Sequence, residues 1–194
     1  MIIAHFLVDL IRITTRITMK KLFIIALIIP LFSFFGCPED ILEINFTMTM
    51  ADVEFIQHPD EEPGVHWFDT AVVVSTLEEE LDKHGADISK VKSVKLKTAK
   101  MSIVNPVDFT FSPVDYAQLT FRSESFPEQI IAEANINGQA IQSVDLDVNT
   151  DVDLLSAMKD DEMEIFGSVT INQAVDEQVI FRGEVTVEVV ADPL

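Results

Sequence analysis

The sequence predicts a mainly β protein, an antiparallel β-sandwich of immunoglobulin-like or jelly-roll-like form with two short helices. Three observations predict it. From residue 42 onward apolar and polar residues alternate with period two, the spacing of strands buried on one face. Turn-forming residues punctuate these segments at short intervals, Asn137-Gly138 foremost among them. Helical spacing is confined to two brief stretches, and many short strands with few helices indicate two packed antiparallel sheets.

The first strand places Leu42, Ile44, Phe46, Met48 and Met50 on one face, opposite Glu43, Asn45, Thr47 and Thr49. Val53 and Phe55 continue the pattern in shifted phase, so a bulge or turn is expected near Ala51. Further strands are expected over 68–75, 91–103, 107–111, 116–122, 129–136, 139–148 and 164–171. Asn137-Gly138 suits a type I′ hairpin turn, which needs positive φ at both central residues. In the last strand Val179, Phe181, Val185, Val187 and Val189 face one way, and Ile180, Arg182, Glu184, Thr186 and Glu188 the other. The first helix is expected over 77–84, opened by a capping box of Thr76 and Glu79 and closed by Gly85. The second is expected over 152–159 behind Asp151, with Val152, Leu155 and Met158 on one stripe. The Cys…Trp…Cys spacing of true immunoglobulin domains is absent, so that likeness is architectural.

The first 36 residues are of another kind. From Met19 they read as a basic pair, Lys20 and Lys21, an uncharged run from Leu22 to Phe35, and then Gly36-Cys37. The run of 14 residues fits the apolar region of a signal peptide and is short of the ~20 residues that span a bilayer as a helix. Positive charge ahead of the run keeps its start in the cytoplasm, so the following chain is exported. Residues 1–18 precede this complete signal, and translation is expected to begin at Met19. The organisation is therefore 1–18 as an over-long gene start, 19–36 as signal peptide and 37–194 as one domain. The whole chain has formal net charge −20. Residues 1–36 hold four basic side chains and one acid, which leaves nine basic against 32 acidic from Cys37 onward, a formal −23.

Gly36-Cys37 directly after the apolar run resembles the lipobox of bacterial lipoproteins, with Phe34 and Phe35 where that family usually has Leu and a small residue. The resemblance implies a lipid-modified Cys37 as the first residue of the mature protein. Cys37 is the only cysteine, so no internal disulfide competes for it. Pro38-Glu39-Asp40 is similar to the acidic export tag of Bacteroidota surface lipoproteins. The segments ISKVKSVKLKTAKMSI (88–103) and DVDLLSAMKDDEMEIFGSVTIN (151–172) resemble small β-sandwich lipoproteins of the Bacteroidota of uncharacterised function. Together these imply an outer-membrane lipoprotein, on the periplasmic side or at the cell surface, held to the membrane through lipid on Cys37.

Candidate sites are few. The densest acidic row is Asp145, Asp147, Asn149, Asp151 and Asp153, whose oxygens suit calcium, a cation that takes six to eight hard ligands. The EF-hand pattern fails, because Thr150 and Ser156 stand where that loop needs Gly and Glu. A strand with Leu146 and Val148 inward, Asp145 and Asp147 on its wet face and Asp151 capping the next helix accounts for the same residues. No other cofactor is expected. His58 and His66 flank Asp60, Glu61, Glu62 and Asp69 in a spacing that matches no ligand motif, and a solvated loop explains them. His84 closes the first helix, where a cation meets the negative end of the dipole.

Lys83, Lys90, Lys92, Lys95, Lys97 and Lys100 are six of the nine basic residues after Cys37 and read as guards of an exposed sheet edge, with an acidic glycan or headgroup patch as the alternative. Trp67 and Tyr116 are the only Trp and Tyr, and an exposed Trp67 would point to a sugar-binding accessory. Nucleic acid is disfavoured by charge and compartment. The sequence contains no Gly-x-Ser-x-Gly, no His-Glu-x-x-His and no phosphate-cradling glycine loop. The expected function is a non-catalytic binding or assembly module of the cell envelope, possible partners being an envelope protein or a glycan. The alternative is a carbohydrate- or calcium-binding accessory of nutrient capture.

Calcium bound at the acidic row raises the melting temperature of a 38–194 fragment, because a ligand specific for the native state stabilises it. Asp147→Asn together with Asp151→Asn then abolishes the rise. A melting curve indifferent to millimolar calcium at matched ionic strength assigns these acids to the wet face alone.

Overall fold

The computed structural model describes residues 43–59 and 62–194. The expected leader, 1–18 and 19–36, and Cys37, the expected site of lipid, lie outside the described residues. In chain order the strands are β1 (Ile44–Gln57), β2 (Gly64–Trp67), β3 (Ala71–Val74), β4 (Val91–Asn105), β5 (Val114–Ser123), β6 (Gln129–Asn135), β7 (Ser143–Val148), β8 (Glu162–Ile171) and β9 (Val179–Ala191). A helix, α1 (Leu77–His84), connects β3 to β4.

β1, β9, β4 and β7 lie side by side in a first sheet; β6, β5 and β8 form a second, with β2 and β3 both paired to the far side of β8. The pairings are antiparallel. Two residue pairs, Ala132 with Val148 and Glu133 with Asp147, join β6 to β7, so the two sheets are halves of one curled surface. With β2 and β3 counted as one broken strand, the order 1-9-4-7 facing 6-5-8-2/3 is that of a jelly roll, the second of the two sandwich forms expected.

Alternation explains the register. In β9 the row Val179, Phe181, Val185, Val187 and Val189 is buried, while Arg182, Glu184 and Glu188 are exposed. β1 follows the same rule, and its pairing to β9 shifts between Thr49 and Ala51, where Met50 and Ala51 are both buried. That shift keeps Phe55 inward. Phe55 stacks on Phe68 with centroids 5.3 Å apart, Phe68 lies 5.5 Å from Phe181, and Phe181 lies 5.6 Å from Phe111. This run of rings fills the space between the sheets. Glycine makes room for it: a Cβ on Gly183 would stand 2.9 Å from the Phe55 ring, and one on Gly167 would stand 3.1 Å from the Gln118 carbonyl oxygen and 3.2 Å from the Phe68 ring.

Several expected elements take another form. α1 matches its expected bounds and ends at Gly85 in the left-handed region, φ 71°, but Thr76 makes no side-chain cap bond. Of the expected strand 68–75 only β3 is a strand, because Phe68 turns into the core and its amide bonds Gly167 O at 2.9 Å, while β2 forms within the stretch expected to be a solvated loop. Residues 107–111 form turns, with the Phe109 amide bonded to Pro106 O. Asn137 and Gly138 have the expected positive φ, 54° and 68°. They do not make a tight hairpin, since the Asn137 amide bonds Asp115 O and the Gly138 amide bonds Val114 O, so the turn is tied to β5. The second helix shrinks to a 3-10 turn at Ala157–Lys159. Residues just before it bind β4 instead: Leu154 N donates to Val94 O at 2.8 Å and Val94 N donates to the Asp153 carboxylate at 3.1 Å.

In the sheet order the lysine-rich strand β4 lies between β9 and β7, and its lysines stand on the outer face. β7 pairs only with residues 99–102, so beside Lys92, Lys95 and Lys97 the side of β4 away from β9 meets the turn at Asp153 and Leu154 instead of a full strand. Strand order depends on long-range pairing, which local lysine spacing does not encode.

Phe181→Ala removes the ring that touches both Phe68 and Phe111 and is expected to cost ~3–5 kcal/mol. Gly183→Ala is expected to cost ~1–3 kcal/mol through its clash with Phe55. Glu184→Gln, on the wet face of the same strand, should change stability by less than ~0.5 kcal/mol. Urea unfolding of the three variants measures the ranking, and equal losses would contradict the packing described.

Candidate outer-face binding site

The two sheets differ on their outward sides. On the first sheet the outward positions are charged and paired. Lys92 contacts Glu43 and Asp192, each at 2.8 Å, and Lys97 contacts Thr47 at 2.7 Å and Glu188 at 3.8 Å. Arg182 bonds Glu54 at 2.8 Å, and Lys95 and Lys100 stand opposite Glu188 and Glu184. These exposed pairs are each worth roughly 0–1 kcal/mol, but together they offset part of the acidic self-repulsion.

The second sheet presents a different surface. Val65, Trp67, Val72 and Val74 point away from the core and are 58–65% exposed. They are four of the eight exposed large apolar side chains among the described residues. The break at Phe68 sets this up, because β2 and β3 each start afresh with alternate residues outward. Next to Trp67, Phe166 is also an outward residue of β8, with its ring 6.1 Å from the indole. The Arg122 guanidinium lies 5.4 Å from the centre of the Phe166 ring and pairs with Glu164 and Glu128. Phe166 is therefore covered without belonging to the core between the sheets.

Register carries the site across the sheet. Trp67 stands opposite Ser168, Ser168 opposite Gln118, and Gln118 opposite Glu133. The neighbouring row runs Val65, Thr170, Tyr116 and Asn135. The Tyr116 hydroxyl donates to the Glu133 carboxylate and, at 3.4 Å, to the Gln118 amide oxygen. Burial first, and then Glu133, push the Tyr116 phenol up to about 12. Ser168, Gln118 and Thr120 are only 2%, 9% and 2% exposed although they sit on the outward side. They form a polar floor between the taller Trp67 and Phe166 on one side and Tyr116 and Glu133 on the other. Beyond Val72 a groove of about 750 Å³ opens, lined by Arg122, Glu124, Lys159, Asp160, Asp161, Glu162 and Glu164.

The residues singled out from sequence are scattered by comparison. Asp145 is exposed opposite Lys100, and Asp147 is exposed opposite Glu133. Asn149 accepts from the Asp151 amide at 3.2 Å, and Asp153 accepts from the Val94 and Leu155 amides at 3.1 and 3.0 Å. Asp153 thus holds a turn against β4, and Asp151 caps no α-helix. His66 donates to the Glu62 carbonyl at 2.7 Å, His58 is exposed, and His84 stacks on Phe46 at 4.2 Å. Asp60 and Glu61 lie outside the described residues. Among the described residues no group of three or more His, Cys, Asp or Glu is placed to hold a metal ion. Trp67 and Tyr116 are the sequence candidates that the fold brings to one surface. Val65, Val72, Val74 and Phe166 were not legible as surface residues; the doublet Ile165-Phe166, apolar on both faces of one strand, was their one signal.

No family model matches the chain, and no curated protein matches it. Among solved structures it is similar to the decameric BFDV capsid protein, with TM-score 0.40, 12% identity, 77% of this chain and 99% of that one. It is also similar to a protein of infectious bursal disease virus, Gt strain, with TM-score 0.37, 11% identity, 77% of this chain and 33% of that one. The Triatoma virus empty capsid gives TM-score 0.33, 9% identity, 77% and 92%. The chain spans about a third of the length of the bursal disease virus protein. The jelly-roll order stands on this chain's own strand pairings.

Tyr116 is the only tyrosine, so near-ultraviolet absorbance follows it directly. The folded phenol is expected to stay protonated through pH 10, the ordinary tyrosine range, and to ionise near pH 12. Because the folded value is raised, its contribution to stability is present below pH 10 and lost as the pH rises through about 12. Glu133→Gln should lower the midpoint only part of the way, since burial is the larger cause. A native midpoint at pH 10 would contradict the geometry of this row.

Proposed function

We propose that the chain is an exported lipoprotein, anchored at the outer membrane through lipid on Cys37 and facing the periplasm or the cell surface. It acts as a non-catalytic binding or assembly module of the cell envelope, with the outward side of the second sheet as its binding surface. One observation carries the choice of surface: Val65, Trp67, Val72 and Val74 are exposed together on one face, rimmed by polar residues. Contiguous apolar surface of this kind marks interaction sites. The paired charges on the first sheet supply no comparable area.

A non-catalytic role is supported by how the carboxylates near the face are used. Glu133 accepts from Tyr116, Glu164 pairs with Arg122, and Asp160 accepts from the Ser125 amide and hydroxyl at 2.9 and 2.8 Å. Each is tied into a structural contact. The second reading, a carbohydrate- or calcium-binding accessory of nutrient capture, is favoured in its carbohydrate arm by the 58% exposure of Trp67. Its calcium arm gains nothing from Asp153, whose carboxylate already holds two backbone amides.

Lipid anchoring is tested by metabolic labelling. Expressed in a Gram-negative host, the chain is expected to incorporate labelled fatty acid and fractionate with membranes, and Cys37→Ala to do neither. Equal labelling of both proteins would remove the anchor from this reading.

A further inference from the structure

We propose that Val65, Trp67, Val72 and Val74 rest on the bilayer that holds the lipid of Cys37, against headgroups that carry no net charge. The inference rests on the lipid anchor and the choice of face made above, and it names the partner of that face. β2 and β3 end the second sheet, and an exposed sheet edge is ordinarily guarded by lysine or proline. Here the two strands read GVHW and AVVV, with neither residue, and every second side chain is an apolar group 58–65% exposed. The only tryptophan of the chain is among them, and tryptophan favours the membrane interface.

The length of chain between anchor and domain brings this face within reach. Six residue steps separate Cys37 from Glu43, so Glu43 stands no more than ~22 Å from the Cys37 backbone. β1, which starts beside Glu43, touches β3 across the side of the sandwich opposite the β6–β7 join. β3 leads into α1, ~12 Å long, whose His84 stacks on Phe46 at 4.2 Å, three residues past Glu43. The Val74 end of the patch and the root of the tether therefore share one end of the domain. Area and charge favour a bilayer over a second copy. Four side chains of this exposure offer on the order of 400 Å², about half of the ~800 Å² per partner of a stable protein complex. In a two-fold pair the same patch faces itself, which sets Asp161, Glu162 and Glu164 beside Val72 against their own like charges. A bilayer needs no matching area, because the tether already holds the face close to it. The same acids repel anionic headgroups, so the surface that fits is neutral overall.

Because Trp67 is the only tryptophan, lipids with bromine on their acyl chains read its contact with the bilayer directly. The full chain, purified from the membranes of a Gram-negative host, is reconstituted into phosphatidylcholine vesicles and floated on a density gradient. Brominated vesicles are expected to lower its emission at least twofold against unbrominated ones, more strongly from bromine near the headgroup end of the acyl chain than near its tip. Val72→Asp together with Val74→Asp, both exposed in the folded domain, should cut the quenching several-fold while the protein still floats. Val107→Asp, exposed on the turn after β4 and outside the face, should leave the quenching unchanged. Admixture of anionic phosphatidylglycerol should lower it, and a rise instead would overturn the assignment to neutral headgroups. Flotation without quenching overturns the proposal and leaves the anchor standing, whereas loss of flotation overturns both. Emission that turns blue and resists acrylamide in detergent micelles only as protein concentration rises would give the face to a second copy and overturn the proposal equally.

Discussion

Phe181 touches both Phe68 and Phe111, and Phe68 in turn stacks on Phe55, so one run of aromatic rings spans the space between the sheets. Facing sheets pack ~10 Å apart, and that gap must be filled by side chains from both. Here four phenylalanines fill it, and two inward glycines, Gly167 and Gly183, accept the rings where a Cβ would collide. Phe68 belongs to this run, and the outer surface depends on that. The backbone must turn Phe68 inward, which breaks the outer strand into β2 and β3 and leaves Trp67 pointing out on the opposite side. Core and candidate site are thus set by one residue pair, Trp67 and Phe68, facing opposite ways.

Charge is distributed with similar economy. Four of the seven lysines among the described residues stand outward along β4 in the first sheet, each beside an acidic residue. Cations set among these carboxylates lower the sheet's self-repulsion, and Lys100 stands between Glu184 of β9 and Asp145 of β7. The second sheet needs no such neutralisation along its polar row, and its acids gather instead at the groove beyond Val72. Charge pairing is therefore concentrated on one face and exposed apolar side chains on the other.

Much of the fold was legible as alternation. The inward rows of β1 and β9, the phase shift at Ala51, the bounds of α1 and the positive φ of Asn137 and Gly138 all follow from local spacing and local sterics. What was not legible depends on partners distant in sequence. The stretch 152–159 has a helical stripe, yet Asp153 and Leu154 find better hydrogen bonds on β4 than a short helix offers. The lysines of β4 have the composition of an edge, and only the pairing with β7 and β9 makes the strand central. Of the site, Trp67 and Tyr116 were visible as residue types, but the row that joins them to Ser168, Gln118 and Glu133 exists only through the order β2-β8-β5-β6.

The account turns on the indole of Trp67 standing in solvent while Phe68 fills the core. Collisional quenching of tryptophan fluorescence by acrylamide measures this in one experiment, because every photon comes from residue 67. The structure predicts red-shifted emission and efficient quenching, close to that of an exposed indole, in the folded chain. Blue-shifted emission protected from acrylamide until the protein unfolds would place the indole inside, and the proposed binding surface would lose its central residue.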